Sequence, residues 1–212
     1  MQQNFVSDLL KKPAWMLFLI SWLFYLIGLF LFSHMVWDAS TYMADFKGTD
    51  FETSLSNWRK MDMLRYALSP AWILGISTII FFLIKTGMII IRVEFNTALF
   101  FKIIFLGFIF LSLPFWVKSV GLILFKSGYT SDDVKAYFPG SIVPFINASG
   151  MSEVKMKALA NINIYHLAFM LFTSWQIALN SKITFIKSFL IVICTYGLGL
   201  SLLQYAKIII LG

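Results

Sequence analysis

Residues 13–37 read PAWMLFLISWLFYLIGLFLFSHMVW, without one Asp, Glu, Lys or Arg. An uncharged apolar run longer than about 18 residues reads as a transmembrane helix. Coiled as an α-helix it reaches about 37 Å, enough to cross a hydrocarbon layer of ~30 Å with some tilt. Pro13 opens it at a helix N1 position, and Trp15, Trp22, Tyr25 and Trp37 are candidates for the aromatic belts at the two interfaces. Lys11 and Lys12 precede the run as in a signal peptide, but the run far exceeds an h-region of ~7–15 residues and no small-x-small cleavage site follows promptly. The expectation is a retained first span that also serves as the insertion signal.

The same signal recurs along the chain. Of its 212 residues 59% are hydrophobic and 13% charged, with mean hydropathy +0.82, against roughly 25% charged in a soluble domain. Further spans are expected at residues 70–91, 98–124, 158–179 and 183–210. The fold class is therefore an all-α integral membrane protein of about five transmembrane helices, forming a single domain. Pro114 is expected to kink the third span. The fourth is the most polar, with Asn161, Asn163, His166 and Gln176, and is expected to face other helices instead of lipid. In the fifth, Gly197 and Ser201 form a small-xxx-small pair that permits close helix approach.

The net charge of +7 does not imply a nucleic acid partner, because the Lys and Arg are scattered beside apolar runs and not gathered in a stripe. They read as interface anchors that snorkel to headgroups. The Lys-Lys pair ahead of the first span favours a cytoplasmic N-terminus, and an odd span count then places the C-terminus outside. Richness in Lys, Ile, Phe and Asn leans towards a low-GC bacterium, so the expected location is a bacterial cytoplasmic membrane. The outer loops would carry Asp38, Asp45, Asp50, Glu52, Asp62, Asp132, Asp133 and Glu153. Asn147-Ala148-Ser149 matches a glycosylation sequon to which we attach little weight.

Two loops have a pattern of their own. Phe51, Leu55, Trp58, Met61 and Leu64 recur at helical spacing with Arg59, Lys60 and Asp62 on other faces, which suggests an interfacial amphipathic helix in the first loop. Pro139-Gly140 and Pro144 punctuate Ile142, Val143, Phe145 and Ile146, a segment read as interface-buried or partly re-entrant. Ser131-Asp132-Asp133 is suited to cap a short helix.

Catalytic chemistry finds little to stand on. His34 and His166 have no HExxH, no Cys partner and no acid at ligand spacing, so neither a metal site nor a cofactor is expected. The expected span interiors hold no Asp or Glu, whereas intramembrane hydrolases place acids there. Cys194, alone in an apolar run, reads as a small buried hydrophobe. The chain is expected not to be an enzyme.

The segment from Asn96, NTALFFKIIFLGFIFLSLPFWVKSVGLIL, together with Asn161 onward, NINIYHLAFMLFTSWQIALNSKI, resembles bacterial Yip-domain proteins. In that family a helix interrupted near a Leu-Pro pair follows a short basic loop, and an Asn-aromatic pattern opens the last hairpin. The resemblance covers about half the chain and rests on hydropathy spacing. It implies a five-span fold with a cytoplasmic N-terminus and an external C-terminus. Eukaryotic members act through Rab-type GTPases by means of a long N-terminal region with an acidic-aromatic motif, which does not precede the first span here, so GTPase recruitment is not carried over.

The function read from these residues is a scaffold or complex subunit acting through contacts with lipid and with other membrane proteins or a second copy. Its expected contact residues are Asn163, His166, Gln176, Gly197, Ser201, Trp58 and Phe145. The alternative is a small transporter or channel component with Lys85, Lys118 or His166 lining a polar path.

Overall fold

A computed structural model describes residues 5–36, 51–125, 129–146 and 151–211 of the chain. Trp37, Asp38, Asp45, Asp50 and the sequon at residues 147–149 lie outside the described residues. A short helix α1 (Phe5–Lys11) leads into α2 (Ala14–Leu31), which continues through a π-helical turn, Phe32–Val36. The long α3 (Phe51–Ile90), α4 (Thr97–Phe125) and short α5 (Ser131–Ala136) follow. A 3-10 turn (Val143–Phe145) and α6 (Glu153–Ala160) precede α7 (Ile164–Asn180). Helix α8 (Phe185–Val192) runs through a second π-helical turn (Ile193–Gly197) into α9 (Leu198–Leu211). Among the described residues there is no strand, only an isolated antiparallel bridge between Ser141 and Asn163.

Four of these helical stretches are long and apolar enough to cross a membrane: Ala14–Val36, Glu52–Ile90, Thr97–Leu124 and Phe185–Ile210. Helix α7, with 17 residues, is about 25 Å long, short of a ~30 Å hydrocarbon layer.

Helices α2 and α4 form the most extensive pair and run parallel. Lys102 Nζ of α4 donates to the Leu10 carbonyl of α1 (3.0 Å), the Trp116 indole of α4 to the Phe24 carbonyl of α2 (3.0 Å), and the Tyr129 hydroxyl, past the end of α4, to the Met35 carbonyl (2.6 Å), in step along the two stretches of chain. Ser21 Oγ donates to the Phe105 carbonyl between them. Such hydroxyl bonds are fitting where no water competes, since apolar burial gives helices little reason to associate inside lipid. Phe100, Ile103 and Ile104 of α4 are fully buried and pack with Phe169 and Ile177 of α7 and Ile84 and Met88 of α3. Helix α4 is thus the central post.

The second span was expected to begin at Pro70, with a separate helix before it; instead α3 runs unbroken through Pro70. Proline removes one N–H and frees the carbonyl four residues earlier, here that of Tyr66. Ser69 Oγ donates to that carbonyl (2.7 Å), and the Trp22 indole donates to Ser69 Oγ (2.9 Å). The freed acceptor is thereby satisfied and the helix continues. Asp62, expected on a solvated face, is 7% exposed. Its Oδ1 accepts from Ser33 Oγ (3.0 Å), and Arg65 lies at 3.5 Å.

The expected continuous fourth span at 158–179 is divided. The helix ends after Ala160 and restarts at Ile164, because Asn163 takes an extended backbone (φ −144, ψ 164) and its side chain accepts from the Tyr165 and His166 amides. Asparagine favours this capping role over the helix interior.

Close packing around α4 gives a direct test. A Cβ on Gly107 would lie 2.7 Å from the fully buried Phe169 ring, whereas one on Gly75 would meet nothing within 4 Å. Gly107→Ala is expected to destabilise the protein by about 1–3 kcal/mol. Gly75→Ala is expected to be neutral or to stabilise by up to about 1 kcal/mol. Denaturant unfolding in detergent micelles reads both.

Candidate functional site

The break before α7 builds a groove. The Ile142 amide donates to the Ile162 carbonyl (3.1 Å) and the Ile164 amide to the Gly140 carbonyl (2.9 Å). These two bonds flank the Ser141–Asn163 bridge and lay residues 140–142 against the helix start. Gly140 is required at this turn. Its φ of +71 is left-handed, and a Cβ there would lie 2.9 Å from Ile164 Cγ1.

The opposite wall is the last helix. Tyr196 lies in the π-helical turn at Ile193–Gly197 and packs against α7. The Tyr196 hydroxyl is hydrogen-bonded to His166 Nδ1 (2.5 Å), and its ring lies 4.9 Å from that of Phe169. Tyr196 is 5% exposed, so the bond ties α7 to the last helix at the base of the groove.

Above this tie a groove of about 920 Å³ opens between α9 on one side and the 140–145 segment with α6 on the other. Its walls are mostly hydrocarbon, including Ile142, Leu159, Leu167, Met170, Leu198 and Ile208. Polar groups are few: Ser141, Asn161, Asn163, His166, Ser201, Gln204 and Tyr205. Gln204 is buried, and its Oε1 has no hydrogen-bond partner among the described residues. Phe145 stands at the rim, 89% exposed. A large apolar cleft with a few converging polar groups is the form that binding sites take.

Of the contact residues expected from sequence, Asn163, His166, Gly197, Ser201 and Phe145 all line this groove. Gln176 does not. It is buried about 20 Å further along α7, beside a smaller cavity lined by Phe5, Lys11 and Trp175. Trp58 lies on the first third of α3, half-buried, and also away from the groove.

Lys85, Lys118 and His166 are not brought into one path. Lys85 Nζ donates to the Phe95 carbonyl at the α3–α4 turn (3.1 Å). Lys118, about 30 Å along α4 from that turn, lies over the rings of Phe32 (5.5 Å) and Phe138 (5.1 Å). The aromatic faces attract its charge where a simple snorkel to headgroups was expected. Only His166 reaches the groove.

Gln204, Tyr196 and Ser141 were not singled out from sequence. Gln204 carried a signal, being the one polar side chain between Ser201 and Lys207 apart from Tyr205. Among the described residues no group of three His, Cys, Asp or Glu is placed to hold a metal ion. Cys194 is exposed on the last helix, not buried as expected.

No family model, curated protein or solved structure matches this chain.

The tie at the base of the groove is measurable. A double-mutant cycle with Tyr196→Phe and His166→Leu is expected to give a coupling of about 0.6 kcal/mol, and no more than about 2 kcal/mol, as found for interhelical bonds in membranes. Unfolding of the four variants in one detergent supplies it, and additive losses would show that the pair does not interact.

Proposed function

We propose that this chain is a non-enzymatic multi-span membrane protein, a scaffold or complex subunit, that works by holding an apolar partner in the groove between α9 and the 140–145 segment. The observation that carries this reading is convergence. Asn163, His166, Gly197, Ser201 and Phe145 come from three separate stretches of chain and line one cavity. Irregular backbone at membrane depth is tolerated where it is buried in protein or lines a cavity, and the break at residues 161–163 does so.

The five-span arrangement belongs to the same reading. Helix α7 is the short fourth span, completed towards the outside by α6 and the folded-in 140–145 segment. Helix α3, with 40 residues, is about 60 Å long, well beyond the ~40–45 Å of a whole bilayer. Its first third, with Trp58, Arg59 and Lys60, would therefore stand at the outer interface, in the place of the interfacial helix. The N-terminus is then cytoplasmic, the C-terminus external, and the host membrane the cytoplasmic membrane of a bacterium. The resemblance to Yip-domain proteins fits this span order and adds no chemistry.

Photo-crosslinking in native membranes tests the proposal. A benzophenone amino acid at Phe145 or Ser201 is expected to give discrete, saturable adducts, while the same probe at the lipid-exposed Ile186 gives only a diffuse lipid background. Equal diffuse labelling at all three positions would overturn the reading. Reporter fusions at the two chain ends are expected to report opposite sides of the membrane.

A further inference from the structure

The inner end of the groove holds a hydrogen-bond donor without an acceptor. Tyr196 is 5% exposed, and its hydroxyl has His166 Nδ1 as its one partner among the described residues. Were Nδ1 to carry the imidazole hydrogen, the phenol hydrogen would be buried without an acceptor, which is costly. The Tyr196 hydroxyl therefore donates, Nδ1 accepts, and the neutral ring carries its hydrogen on Nε2. Nε2 makes no hydrogen bond among the described residues and is not sealed from its surroundings. His166 shares a face of α7 with Asn163, Leu167 and Met170, all of which line the groove. The groove thus meets an N–H of fixed tautomer, and its occupant must bring an acceptor.

Depth and charge narrow that acceptor. Tyr196 lies about 17 Å from one end of the apolar stretch Phe185–Ile210 and about 21 Å from the other, near the middle of a bilayer. From there the groove follows α9 for about 18 Å to Ile208. A phospholipid reaching in from the surface keeps its ester and phosphate oxygens at the headgroup boundary, about 15 Å from His166, half the hydrocarbon layer. A partner's transmembrane helix has its carbonyls spent within the helix, and the groove ends about one turn past the Tyr196–His166 tie, far short of a full crossing. None of the lining residues is Asp, Glu, Lys or Arg, so nothing there offsets the burial of a carboxylate, phosphate or ammonium. An uncharged carbonyl oxygen supplies an acceptor and brings no hydrogen that needs a partner of its own.

We propose that the groove binds an uncharged carbonyl compound with a hydrocarbon tail, soluble in the membrane interior. Its oxygen accepts from His166 Nε2–H, and its tail lies against the aliphatic wall of α9 towards Ile208. Tyr196 is a positioning residue that holds the imidazole in the donating tautomer. The inference rests on the groove being a binding site, as set out under the proposed function.

The test uses NMR of the purified, delipidated full chain in micelles, labelled at the histidine nitrogens and the methionine methyls. Tetradecyl methyl ketone and hexadecane, chains of equal length that differ by one oxygen, are titrated at equal mole fraction in the micelle, and the Met170 methyl reports occupancy of the groove by either. The free protein is expected to show His166 with its hydrogen on Nε2. One ketone per chain is expected, bound about fivefold more tightly than the alkane, the contribution of one net hydrogen bond, with the Nε2 signal shifting in step. His166→Phe is expected to bind both compounds equally. Tyr196→Phe, which keeps the imidazole but lets its hydrogen move to Nδ1, is expected to lose part of the preference. Equal binding by the unaltered protein, a hydrogen found on Nδ1, or a preference that survives His166→Phe would overturn the proposal. Discrete polypeptide adducts from Phe145 and Ser201 with no ketone bound would overturn it too, yet leave the groove as a binding site. Failure of both compounds to reach Met170, together with loss of every discrete adduct, would remove the binding-site reading itself.

Discussion

A peptide group inside a bilayer has no water to bond with, so each N–H and C=O must find a partner within the protein. That constraint decides which interruptions this chain can carry. At Pro70 the freed Tyr66 carbonyl is taken by Ser69 Oγ, held in turn by the Trp22 indole, and the helix passes through. At residues 161–163 the amides that start α7 are taken by the Asn163 side chain, and the neighbouring groups pair with residues 140–142. The first interruption is mended by a relay between helices. The second is mended by a loop, and a loop leaves space beside it.

The remaining packing follows from weak forces used many times. Apolar helices gain little from one another in lipid, so association draws on close contact and on hydroxyl bonds to carbonyls. Ser21, Tyr129, Trp116 and Lys102 each reach a main-chain carbonyl of a neighbouring segment. Gly107 lets Phe169 lie against α4, and Gly28 does the same for Trp116. The last helix joins this bundle through Gly87, which faces Ile191 and Thr195, and through the Tyr196–His166 bond. Beyond that bond α9 is met by α6, and the groove opens beside the first turns of α7.

Hydropathy made the apolar helices legible, because length and absence of charge are local properties of a window. Helix ends were less legible, and for identifiable reasons. Asn163 in an apolar run reads equally as glue between helices or as a cap, and only its extended backbone decides for the cap. Pro70 reads as a helix start unless one knows that Ser69 meets Trp22, 47 residues away. Asp62 reads as solvated until Ser33 is brought beside it by a π-helical turn that breaks the 3.6-residue period used to find faces. The groove shows the same division. Its polar members stood out by type, but Tyr196 and Gln204 acquire meaning only from α7 and α6 packing beside them.

Everything proposed for the groove depends on residue 141 lying against residue 163 at the break between α6 and α7. The bonds that flank this pair make it a non-hydrogen-bonded antiparallel pair, with Cα atoms about 4.5 Å apart, within disulfide range. Oxidation of the Ser141→Cys, Asn163→Cys double variant in native membranes, with Cys194 replaced by serine, measures the juxtaposition directly. The expected result is a rapid intramolecular disulfide and loss of both free thiols. Two thiols that stay free and label independently under oxidant would contradict it.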